Sequence, residues 1–198
     1  MGRQPLPPTC RSRSRVSLLR GFAAYASHPD PLAAASNRIA LLVASNQPFY
    51  PLYLWWIVGG DWWASFWTFL STPFFASVPI VARRNALAGR AMLPLTGIAN
   101  GMLSAKMFND ASGVELFLIP CGLIALLAFR RAEWPVTALL LAATVIAALA
   151  HGHYGLPFGT FNAEEYAHFR RLNAFSVAAL SATLLWIFIR ARSSHSPR

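Results

Sequence analysis

Six apolar runs recur along this chain, each near the ~20 residues that cross ~30 Å of hydrocarbon. They cover about 39–58, 63–82, 91–107, 113–129, 135–150 and 172–189, separated by short polar blocks. No ionisable residue falls near the middle of any of them, so each one suits the interior of a bilayer. Composition agrees, with 56% hydrophobic residues, 12% charged residues and a mean hydropathy of +0.43 over 198 residues. Too few charges remain to cover a water-soluble surface. The expected fold class is therefore all-α, a polytopic bundle of six transmembrane helices.

The expected organisation is a basic tail over 1–35, a six-helix domain over 36–192 and a short tail over 193–198. The first residues are rich in Pro, Ser and Arg and are expected to be disordered. Val16 to Ala26 is a candidate interfacial helix, with Arg20 snorkelling, stopped by His28-Pro29-Asp30-Pro31. Arg20 interrupts the apolar stretch and no cleavage site follows, so a retained tail is expected instead of a signal peptide.

Local signals mark several helix ends. Asn46-Gln47-Pro48 and Pro51 interrupt the first run and predict a kink. Asp61 precedes the second run as a cap, beside Trp55, Trp56, Trp62 and Trp63 as an aromatic belt. Ser112 and Glu115 have capping-box spacing before the fourth run, which Arg130-Arg131 closes, and Pro135 suits the first turn of the fifth. Asn162 and Glu165 repeat the cap pattern and predict one last helix from Ala163 to Arg190. That helix would be ~42 Å long at 1.5 Å per residue.

All but Lys106, Arg170 and Arg171 of the 17 basic residues fall on one side of the six crossings. The positive-inside rule then places both termini in the cytoplasm. Arginines dispersed between apolar runs form no single exposed basic face, so nucleic acid is not an expected partner. Cys10 and Cys121 lie far apart in environment and offer no disulfide or zinc framework.

Candidate site residues are the neutral polar and small groups inside the runs. Asn46, Gln47 and Asn100 are candidates for ligand binding or interhelical hydrogen bonds, and Gly97 and Gly101 for close packing or a homodimer seam. Ser112, Glu115 and Asn173 complete this set. His151, His153, Glu164 and His168 form a candidate metal set, since imidazole and carboxylate suit zinc, copper or nickel. The first expectation is nonetheless no cofactor, with a metal- or haem-binding redox component as a third reading.

The run Gly97-Ile98-Ala99-Asn100-Gly101, then Ser112-Gly113-Val114-Glu115-Leu116-Phe117-Leu118-Ile119-Pro120, Phe129-Arg130-Arg131 and Arg171-Leu172-Asn173-Ala174, carries a resemblance. It resembles the six-helix membrane modules found ahead of bacterial adenylate/guanylate cyclases and some sensor histidine kinases, over about residues 36–190. That resemblance implies a module of the bacterial inner membrane with a sensory or regulatory role. After Arg192 only SSHSPR follows, so the expectation is a non-enzymatic module without an effector domain, acting through a kinase or cyclase partner. The alternative is a small permease or channel-like protein for an uncharged solute.

Overall fold

The computed structural model describes residues 20–150 and 152–193. It is all-helical, with no strand among the described residues. Residues 20–26 are helical and lead into six further helical runs.

The run α1 begins as an α-helix over Pro31–Asn46, where Asp30 accepts from the Leu32 amide at 3.1 Å. It tightens to a 3-10 turn over Gln47–Phe49, passes through Tyr50–Tyr53 and ends in a π-helical turn over Leu54–Val58. Pro48 and Pro51 remove two amide donors, which is the cause of the predicted irregularity. The ordered unit thus begins before both the expected Ile39 and the expected boundary at residue 36. Tyr25 Oη donates to Ala76 O at 2.8 Å, and Arg83 Nη2 donates to Tyr25 O at 3.1 Å.

The second run, α2, opens as a long 3-10 helix over Trp62–Ser71 and becomes α-helical over Thr72–Arg84. Ser65, Thr68 and Ser71 recur every third residue, and a 3-10 helix has three residues per turn, so they stack on one face. All three are buried, and each hydroxyl donates to the carbonyl three residues earlier. Trp63, Phe66, Trp67 and Leu70 stand exposed on the other faces. Asp61 does not cap this helix as expected. Its carboxylate instead accepts from the Thr160 amide and hydroxyl, both at 2.9 Å, pinning the long loop before the last helix.

Helix α3 spans Ala86–Phe108 and is capped by Asn85, which accepts from the Ala88 amide at 3.0 Å. It packs against α1 and α2, against α4 (3-10 over Val114–Phe117, then Leu118–Leu127) and against α5 (3-10 over Arg131–Glu133, then Trp134–Leu149). A Cβ on Gly89 would come within 2.6 Å of the Ala82 Cα, so α2 and α3 touch backbone to backbone there. The last helix, α6, runs over Ala163–Ser193 and lies along α1 and α4. Its start is the reciprocal cap predicted from sequence: Glu165 N donates to Asn162 Oδ1 at 2.9 Å, and Asn162 N to Glu165 Oε2 at 2.8 Å.

Ser112 and Glu115 form no such cap. Gly113 turns left-handed (φ 75°) between them, so the Ser112 hydroxyl donates to Asn109 O at 2.6 Å and the helix starts after the turn. Glu115 Oε2 is buried without a hydrogen-bond partner among the described residues.

Three helices are long and apolar enough to cross a membrane: Trp62–Arg84, Arg131–Leu149 and Ala163–Ser193. Val114–Leu127 is apolar but shorter. Only 11% of the apolar window in α5 and 22% of that in α6 is buried in the bundle. An outward apolar surface of this extent suits lipid. Trp55, Trp56 and Trp63 are exposed at one end of the bundle and Trp134 and Trp186 towards the other, as aromatic belts require.

Candidate functional site

A cavity of about 170 Å³ lies among α1, α2, α3, α4 and α6. Asn46, Gln47, Gly97, Asn100 and Gly101, five of the residues singled out from sequence, line it together. Tyr50, Tyr53, Thr68, Ser104, Cys121 and Ser176 complete its mixed wall. Asn46 is exposed at the rim, whereas Gln47 is buried.

The Pro48 kink turns Gln47 inward. Its Nε2 donates to Thr68 O at 3.2 Å and to Ser71 Oγ at 2.5 Å, while its Oε1 accepts from Thr72 Oγ1 at 2.5 Å. Ser71 Oγ also lies 2.9 Å from Asn100 Oδ1. One chain of neutral polar groups therefore joins α1, α2 and α3. Every member finds a partner within the bundle, which satisfies the cost of placing amides and hydroxyls in an apolar interior.

Above this chain, Tyr50 Oη donates to Asn173 Oδ1 at 3.2 Å, and Asn173 Nδ2 donates to Ser112 O at 3.0 Å. Asn173 is fully buried, and through it α6 is tied to α1 and to the turn before α4. Ser112 and Asn173 thus roof the cavity without lining it, and Glu115 lies outside its lining. An aromatic cluster of Tyr50, Phe108, Phe161 and Phe169 packs over the roof.

The floor is apolar. Ile39, Phe75, Leu93 and Ile124 line the cavity and belong to the larger core with Leu32, Phe129, Leu184 and Phe188. Beyond that core sits Arg90, 1% exposed. Its Nη2 and Nη1 donate to Glu133 Oε1 and Oε2 at 2.6 and 2.8 Å, and Nη1 also donates to Ala128 O at 2.7 Å. Asp30 Oδ2 lies 3.7 Å from its Nε, and the Phe129 ring 5.4 Å from its Cζ. Arg90 and its partners were not among the residues singled out from sequence. The available signal was that Asp30 and Glu133 are the two acids on the arginine-rich side.

Gly97 and Gly101 face α4 of the same chain. A Cβ on Gly97 would lie 2.7 Å from Cys121 Sγ, whereas one on Gly101 would make an ordinary 3.7 Å contact with Leu118. The small-residue spacing is therefore used for packing within the chain. Ser65, Thr68 and Ser71 were not singled out from sequence, although their period of three was visible.

Of the candidate metal set, only His153, Glu164 and His168 are among the described residues. No group of three or more His, Cys, Asp or Glu residues that could hold a metal ion occurs among the described residues, and His151 lies outside them. His153 is in the loop, while Glu164 and His168 share the first turns of α6. Comparison of the chain with protein-family models, with curated proteins and with solved structures returns no match.

Proposed function

We propose that this chain is a non-enzymatic sensory or regulatory module of the bacterial inner membrane, crossing it six times with both termini cytoplasmic. Its cavity takes a small uncharged molecule, and a kinase or cyclase is the proposed class of effector. The observation that carries the reading is the cavity itself, lined by five helices, four of which contribute neutral amides or hydroxyls to a partly apolar wall. Its volume is close to the ~150 Å³ that admits benzene and below the ~300 Å³ of drug-sized sites.

Six crossings require α1, α3 and α4 to span as well. Helix α3 is less hydropathic because it is the central helix, and Gly, Ala, Ser and Thr suit close contact with neighbouring helices better than contact with lipid. The Arg83, Arg84, Arg130, Arg131, Arg190 and Arg192 positions at one end support cytoplasmic termini.

Signal would pass along α6. Ser176 and Leu180 wall the cavity, and Arg192 lies sixteen residues beyond Ser176, ~24 Å along the helix. Arg192 Nη2 there donates to Leu127 O at 2.9 Å and Phe129 O at 3.2 Å, tying α6 to the end of α4. A ligand that fits one packing of α6 better than another shifts the population between them.

Phenol is a suitable probe, being benzene-sized with one hydroxyl. In lipid nanodiscs it should raise the thermal midpoint of the full chain, and Ser104→Leu or the milder Gly101→Ala should diminish the rise. No rise at saturating phenol would contradict the reading. The permease alternative draws on Asn46, Gln47 and Asn100 lining one space, but the packed floor argues for a blind cavity. Liposome uptake of an uncharged solute, abolished by Asn100→Leu, would favour transport instead.

A further inference from the structure

At the arginine-rich end, a second cleft of about 560 Å³ opens between the start of α1, the end of α4, the start of α5 and the end of α6. Arg130, Arg131 and Arg192 line it together with Leu126, Phe129 and Trp134. Four arginines, Arg90, Arg130, Arg131 and Arg192, meet here with two carboxylates, Asp30 and Glu133. Arg90 takes both carboxylates within reach, and Arg130 shares them, with Nη2 2.9 Å from Asp30 Oδ1 and Nη1 3.7 Å from Glu133 Oε1. Among the described residues, two positive charges remain uncompensated. Arg192 is held on the carbonyls that end α4, and the exposed side chain of Arg131 makes no hydrogen bond or ion pair among the described residues.

The wall beside these charges is apolar. Leu126 is 54% exposed, and Trp134, 67% exposed, stands where an aromatic belt residue would sit at the membrane surface. An anion with an attached hydrocarbon chain matches such a cleft, with its charge on the guanidinium groups and its chain along Leu126. A free anion would use only the charged half.

We infer that this cleft is a binding site for the phosphate headgroup of an anionic phospholipid, with Arg131 as its free ligand and Arg130 and Arg192 as flanking charges. Basic pockets between helices at the cytoplasmic face are suited to such headgroups. The site is separate from the central cavity and does not rest on the sensory reading.

The test reconstitutes the full chain in phosphatidylcholine nanodiscs with and without phosphatidylglycerol and counts retained lipids by native mass spectrometry. Phosphatidylglycerol should be retained preferentially, and Arg131→Gln should lower that preference about fivefold. Arg131→Lys should keep most of it, since a charge remains beside the apolar wall. Arg171→Gln, an exposed arginine at the opposite end, should leave it unchanged. Equal retention of both lipids, no effect of Arg131→Gln, or an equal effect of Arg171→Gln would overturn the inference. Thermal stabilisation by inorganic phosphate equal to that by phosphatidylglycerol would overturn it in favour of a free-anion site.

Discussion

Arg90 illustrates how one residue can be read wrongly from its position and correctly from its partners. Near the end of an apolar run, an arginine is cheaply accommodated by snorkelling, yet here the guanidinium is buried. Burying it is tolerable because Glu133 meets it bidentately, Asp30 stands near and Ala128 O takes a further hydrogen bond. Removing the carboxylate leaves the buried guanidinium without its closest counter-charge, so Glu133→Gln should lose about 3–5 kcal/mol. Unfolding in detergent checks this, and Glu133→Gln should be worse than Arg90→Met, which removes the buried charge itself. Asp61 offers a pH-dependent counterpart at the other end. The Thr160 amide and hydroxyl, and the Trp63 side chain, hold its carboxyl below the ordinary aspartate range. A lowered folded value means that the loop contact is fully favoured above the ordinary value near ~4 and lost as pH falls through the lower one. Hydrogen-exchange protection at residues 152–162, taken relative to the intrinsic rate at each pH, should therefore fall on acidification, and Thr160→Val should move that transition to higher pH.

Individual elements were legible where their signals are local. The Asn162–Glu165 cap, Pro135 in the first turn of α5 and the break at Gln47-Pro48 depend on residues a few positions apart, and each occurs. The Ser112–Glu115 pattern has the same spacing but fails, because Gly113 adopts φ 75° and redirects the chain between them. What sequence could not show was convergence: Asn46, Gln47 and Asn100 were visible as polar groups in apolar runs, but the meeting of Gln47 and Asn100 with Ser71 depends on the crossings of α1, α2 and α3. Arg90 and Glu133, distant in sequence, were hidden for the same reason. Helix contact also sets the role of Gly97. Adding a methyl there drives Cys121 Sγ away, so Gly97→Ala should cost about 1–3 kcal/mol. Gly97→Ala combined with Cys121→Ala should recover most of the loss, as thermal unfolding of the two variants will show.

At the scale of the whole molecule, two packed cores among the described residues flank a small cavity of mixed polar and apolar wall. The aromatic cluster near Phe108 and Phe169 lies on one side, and the larger core around Leu93, Phe129 and Phe188 on the other. Helix α6 follows the long loop, lines the cavity and ends at the arginine-rich cleft. Under the proposed function, filling the cavity changes how α6 sits against α4 and the start of α5. Spin labels at Ala132→Cys and Ser193→Cys, in full-length protein with Cys10 replaced, report on that relation directly. Pulsed electron paramagnetic resonance in nanodiscs should show the distance distribution shift by about 1–2 Å when phenol is added, the scale of a helix shift. The same labels in the Ser104→Leu protein should not respond. An unchanged distribution in protein whose thermal midpoint shows phenol bound would contradict the account, leaving a cavity that binds without signalling.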